Sequence, residues 1–156
     1  MVENLRKSLR DSAAARWTAL VIVSFTMMCG YFLTDIMAPL AGLLEGQLGW
    51  SRADYGTFTS SYGWFNVFLL MLIFGGIILD KLGVRLTGLG AAGVMVAGTA
   101  IKYWAVSTPS LGGTTLFGLD AQVFWASIGF ATFAVGVEVA GITVSKIIVK
   151  WFKGKE

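Results

Sequence analysis

The chain has 156 residues, 56% hydrophobic and 13% charged, with a formal net charge of +3. Soluble domains carry about 25% charged residues; a deficit this large, with a mean hydropathy of +0.73, makes lipid the main solvent. The absence of His excludes an imidazole switch or a His-based metal site, and a single cysteine, Cys29, excludes an internal disulfide and argues against a zinc cluster.

Residues 1–16 form a polar, basic leader with Arg6, Lys7, Arg10 and Arg16. Leu5 and Leu9 lie one turn apart, which predicts a short interfacial helix. The apolar run from Trp17 to about Leu44 is far longer than the roughly 7–15 residues of a signal-peptide core, so it is a retained span. Within it Cys29 reads as a small buried hydrophobe.

Four stretches meet the need for about 20 apolar residues in a spanning helix. They are 17–40, 55–79, 86–106 and 121–149. The fold class expected is all-α, a polytopic membrane protein with four transmembrane helices over 17–149 and a basic tail at 150–156. Ser51-Arg52-Ala53-Asp54 predicts a capping box at the start of the second span, with Asp replacing the usual Glu. Residues 107–120 are a Gly/Thr/Ser-rich loop without Lys or Arg.

The basic residues cluster at span ends, so the net charge reads as membrane topology and no nucleic-acid partner is expected. Arg6, Lys7, Arg10, Arg16, Lys81, Arg85, Lys146, Lys150, Lys153 and Lys155 fall on one side, and Arg52 lies in a connection on the other. Cytoplasmic loops carry the excess of Lys and Arg, which puts both termini in the cytoplasm. Lys102 lies near the outer end of the third span beside Tyr103 and Trp104, and is expected to snorkel to the interface.

A charge at the centre of a spanning helix costs about 2.5–3.5 kcal/mol, and such groups usually face the bundle interior or a water-filled path. Asp35 and Glu138 qualify. Asp35 shares a face with Tyr31 and Met28, and Pro39 loosens the backbone beyond it. Two readings stay open for Asp35, a solute contact or a place at the wet outer interface. Glu138 has Ala134, Gly141 and Ser145 near its face, leaving room for a ligand or another helix. Its alternatives are solute binding or a hydrogen bond to a neighbouring helix. The second span carries a polar stripe of Thr59, Tyr62 and Asn66 flanked by Trp64 and Phe65. A buried Asn glues helices together as readily as it binds substrate. At roughly 1.5 Å rise per residue, Glu138 and Asn66 sit near the midplane and Asp35 about 10 Å further outward. The acids are therefore not expected to share a proton, but they can contact opposite ends of one extended solute.

Between the second and third spans lies Gly76-Ile77-Ile78-Leu79-Asp80-Lys81-Leu82-Gly83-Val84-Arg85. This Gly-x-x-x-Asp-Lys-x-Gly-x-Arg loop resembles the signature between helices two and three of the major facilitator superfamily. Further motifs follow the same order: Gly30-Tyr31-Phe32-x-x-Asp35, Trp64-x-Asn66-Val67, and Gly136-x-Glu138 before Trp151-Phe152-Lys153-Gly154-Lys155-Glu156. Together they are similar to the subgroup holding the lysosomal dipeptide uniporters and their bacterial relatives.

The resemblance implies alternating access by a secondary transporter for a small organic solute, a dipeptide or an organic anion. Substrate would meet Glu138, Asn66, Tyr31 and Asp35 near the midplane. Gly76, Asp80, Lys81, Gly83 and Arg85 would form a cytoplasmic latch to the other half of the transporter. Asp80 would be favoured by the N-terminal dipole of the third span, and Gly76 and Gly83 would permit close packing and a tight turn. Many members carry an Arg near the position of Phe130; its replacement favours facilitated diffusion, or coupling through another residue. Members have about twelve spans, so the four here imply the N-terminal portion of a major facilitator fold, inactive without further helices.

The alternatives are a complete four-helix protein working as a homo-oligomeric mini-transporter or channel, and a partner-binding membrane subunit. No nucleophile–base constellation or phosphate-cradling loop stands out, so no enzyme, metal or cofactor is expected.

Overall fold

The computed structural model describes residues 12–152, and the expected interfacial helix of the leader and the end of the basic tail lie outside that range. Helix α1 spans Ala13–Asp35, opened by Ser12, whose hydroxyl accepts from the Ala15 N–H at 3.3 Å. It gives way to a 3-10 turn, Ala38–Leu40, with Pro39 in its first turn. Proline lacks an N–H and clashes with the preceding turn, which accounts for the change of helix type. Helix α2, Ala41–Leu48, ends at Gly49 in the left-handed conformation.

Helix α3, Arg52–Ser60, opens with the expected capping box: Ser51 Oγ accepts from the Asp54 N–H at 3.1 Å, and Asp54 Oδ2 accepts from the Ser51 N–H at 2.9 Å. A π-helical turn, Trp64–Phe68, follows. Helix α4 is Met71–Ser107, and α5 is Ala121–Phe152. Between them the 107–120 loop holds a two-stranded hairpin, β1 Thr115–Leu116 against β2 Leu119–Asp120.

The second expected span, 55–79, is not one continuous helix. It runs through α3, the π turn and the start of α4, with Leu70 in the left-handed region at φ 51°. Among the described residues, three helical stretches are long and apolar enough to cross a membrane: Ala13–Leu48, Met71–Ser107 and Ala121–Phe152.

Helix α4 is itself two rods joined at Gly83, whose φ of 76° and ψ of 171° are non-helical. The contacts with α5 show that the chain reverses there. Before the turn, Gly75 faces Val139 and Asp80 reaches Lys146, a parallel progression. After it, Gly88 faces Thr143, Gly98 faces Phe133, and Gly129 faces Lys102, an antiparallel one. Gly83 thus makes the tight turn expected of it, in a backbone region essentially reserved for glycine. Replacing Gly83 with Ala is expected to cost about 1–3 kcal/mol, read as a lower unfolding temperature in detergent with no change in helix content.

Helix α5 is the central post. Val123, Ala126, Phe130, Phe133, Ala134 and Val137 are all buried. Helix α1 packs antiparallel to it, with Trp17 on Phe152 (ring centroids 5.8 Å apart), Met27 Cε 3.5 Å from where a Cβ on Gly141 would lie, and Gly30 beside Val137. The space that Gly141 leaves is therefore occupied by α1. At the opposite end, Trp50 Nε1 donates to Gln122 Oε1 at 3.2 Å and the Tyr55 hydroxyl donates to the Met37 carbonyl at 2.9 Å. Arg16 and Lys150 lie by the Trp17–Phe152 end, as does the Asp80–Lys146 pair with its neighbours Lys81 and Arg85; Arg52 lies at the other.

Candidate functional site

The polar stripe and Glu138 converge where the broken second segment crosses α5. The Tyr62 hydroxyl donates to Glu138 Oε1 at 2.6 Å, across 76 positions of sequence. Hydrogen bonds involving a charged partner are shorter and about twice as strong as neutral ones. One turn on, Asn66 Nδ2 donates to the Tyr62 carbonyl at 3.2 Å, while Asn66 Oδ1 is buried without a partner among the described residues. An unpaired buried acceptor costs about 1–3 kcal/mol. Asn66 sits inside the π turn. Such turns cost regular helix bonding and occur frequently at functional sites.

Tyr31 and Asp35 lie on α1, which packs against α5. Both are exposed on the bundle. The structure thus joins Asn66 and Glu138 through Tyr62, while Tyr31 and Asp35 stay on the exposed face of α1. Thr59, the third member of the stripe, instead donates back to the Tyr55 and Gly56 carbonyls. The sequence signal for Tyr62 was its place on the stripe; its partner depends on the register of two segments far apart in the chain.

The charged loop differs in detail from expectation. Asp80 lies in the last turn before Gly83, at the C-terminal end of the first rod. There its own helix dipole is unfavourable. The compensation comes from Lys146 of α5, whose Nζ lies 2.5 Å from Asp80 Oδ1. Close packing falls on Gly75, where a Cβ would stand 2.8 Å from Val139 Cγ2; a Cβ on Gly76 would meet nothing within 4 Å. Lys81 and Arg85 are exposed at the turn. Asp80 is exposed and Lys146 half-buried. Exposed pairs are worth about 0.2–1 kcal/mol. Asp80→Asn is therefore expected to lower stability by less than about 1 kcal/mol, measured by thermal unfolding in detergent. A loss of several kcal/mol would show that the pair holds the bundle itself together.

Lys102 does not snorkel. Its Nζ lies 4.9 Å from the Phe130 ring centroid and 4.6 Å from that of Phe133. The physical reason is the passage that Gly129 opens beside it: the Lys102 backbone N lies 2.6 Å from where a Cβ on Gly129 would be. The stem is thereby directed along α5 and into the bundle.

The chain matches no protein-family model, and no solved structure shows a significant match. It is similar to a protein of Oryza sativa subsp. japonica described as "Probable anion transporter 4, chloroplastic", with 26% identity over 137 residues. The alignment covers 87% of this chain and 20% of that protein, so the chain spans about a fifth of its relative's length. The three long apolar helices mark an all-α, multi-pass membrane protein.

Proposed function

We propose that this chain builds part of the solute pathway of a secondary transporter of the major facilitator type, close to the dipeptide uniporter-like subgroup, carrying a small organic solute, an organic anion or a dipeptide, by alternating access. The observation that carries this reading is the Tyr62–Glu138 hydrogen bond beside the unpaired Asn66 Oδ1. A carboxylate deep in an apolar helix is held by a single hydroxyl, on a backbone already broken by a π turn and a left-handed Leu70. Polar groups at such helix breaks serve substrates in transporters built from discontinuous helices. The distant anion-transporter relative supports the same function.

In this reading the chain makes four passes, because the rods on either side of Gly83 run in opposite directions along α5. The end bearing Arg16, Lys81, Arg85, Lys146 and Lys150 faces the cytoplasm of a cytoplasmic membrane, by the positive-inside rule. The Asp80 loop acts as a latch toward further helices, supplied by a longer chain or by a second copy. Exposed apolar side chains along α1, including Val21, Ile22, Phe25 and Phe32, give such helices or the lipid a surface to cover.

The test is solute uptake into proteoliposomes with a panel of dipeptides, organic anions and sugars. It uses the purified chain and, where the natural reading frame continues, its longer product. Saturable uptake of a peptide or an organic anion is expected. Saturable uptake of sugars alone, or no carrier-type uptake by either product, sinks the proposal.

A further inference from the structure

We propose that Lys102 is the carboxylate-binding cation of a second, outer subsite, and that its ligand is a small monocarboxylate with an apolar body. The inference rests on the transport reading for its setting and locates one end of the solute. A cavity of about 320 Å³ opens between α1, α2, the second rod of α4 and α5, with Leu33, Met37, Leu44, Trp50, Phe58 and Lys102 among its walls. Its volume falls in the range of small-molecule pockets, which combine mostly apolar walls with a few placed polar groups.

Lys102 is the charged group in that lining. No ion pair or hydrogen bond joins its side chain to another described residue; its ammonium rests on the faces of Phe130 and Phe133. Ring faces attract a cation but leave its N–H donors unused. Two other polar groups of the lining are committed. Trp50 Nε1 donates to Gln122, and the Thr99 hydroxyl donates to the Met95 carbonyl. The charge in the cavity is therefore one ammonium with free donors among largely hydrocarbon walls, with the exposed Tyr103 beside it. One cation matches one carboxylate; a dianion or a phosphate needs a second. The aromatic and aliphatic walls match an apolar body.

The Phe130 ring stands between this subsite and the polar cluster, 4.9 Å from Lys102 Nζ and 5.7 Å from the Tyr62 ring centroid. A carboxylate held at Lys102 is thereby placed one ring away from Tyr62 and Glu138. Dipeptides and organic anions both carry the group that Lys102 recognises.

Equilibrium binding of radiolabelled benzoate to the purified full chain in detergent tests the assignment. Saturable binding is expected for the native chain and for Lys102→Arg, with at least a tenfold weaker dissociation constant for Lys102→Met. Neutral benzamide is expected not to compete. Leu44→Trp, which fills the cavity without touching the charge, should also abolish binding, and thermal unfolding checks that each variant is folded. No binding to the native chain, equal binding by Lys102→Met, or equal competition by benzamide overturns the proposal. Uptake separates it from the transport reading. Benzoate bound through Lys102 without any uptake leaves the subsite and removes transport. Uptake indifferent to Lys102→Met leaves transport and removes the subsite.

Discussion

Gly98→Leu is expected to abolish stable docking of the second rod of α4 onto α5, and Gly98→Ala alone to lower stability by about 1–3 kcal/mol, the usual cost of overpacking. A Cβ on Gly98 would stand 2.3 Å from the Phe133 N and 2.6 Å from the Gly129 carbonyl oxygen. Both are backbone atoms of α5, so no side-chain rotation relieves the clash and the helices must separate. Gly129 and Gly136 repeat the pattern from the other side: a Cβ on Gly136 would lie 2.7 Å from the Ala91 carbonyl oxygen. Ala91 and Gly98 are two turns apart, as are Gly129 and Gly136, which makes a continuous seam of small residues. In lipid, helices associate through van der Waals contact, and small residues permit that contact. Gly93→Ala is the control on the same rod, since a Cβ there meets nothing within 4 Å. Thermal unfolding in detergent should leave Gly93→Ala near the native midpoint and lower that of Gly98→Ala by several degrees.

Glu138→Gln is expected to cut uptake of the transported solute at least tenfold, a difference of about 1.4 kcal/mol in binding or transition-state free energy. The amide keeps the shape of the carboxyl and an oxygen to accept from Tyr62, but loses the negative charge that makes the 2.6 Å bond strong. Tyr62→Phe should lose a comparable amount, because it leaves the carboxylate without that donor. The two changes act on one interaction, so the double variant should lose less than the sum, as in any cycle of coupled residues. Full uptake by Glu138→Gln would mean that the hydrogen bond only joins helices.

The sequence exposes the three long apolar helices because a membrane demands such runs, but not the break in the expected second span. It exposes Glu138, Asp35 and the Thr59–Tyr62–Asn66 stripe because polar groups are costly there. The capping box at Ser51 and Asp54 is equally local, and it forms. What stayed hidden depends on register or on backbone detail. Nothing in the segment Phe65–Met71 announces a π turn or a left-handed Leu70, since it contains neither Gly nor Pro. Which of Gly75 and Gly76 faces α5 is a matter of one residue of helical phase, and packing puts Gly75 there. Lys146 as the partner of Asp80 requires the pairing of two helices 66 positions apart. Lys102 has aromatic neighbours in sequence that point to the interface, while the aromatic rings it uses, Phe130 and Phe133, belong to another helix.

The claim at the centre is that the Tyr62–Asn66–Glu138 cluster lies on a solute path through the bilayer. The most direct measurement is aqueous thiol labelling of Asn66→Cys in a Cys29→Ser background, in sealed proteoliposomes, with and without the transported solute. The account predicts labelling by a membrane-impermeant reagent, slowed at least several-fold by saturating solute. An Asn66→Cys thiol that stays inert to aqueous reagent in the folded protein, yet labels fully on unfolding, would contradict it.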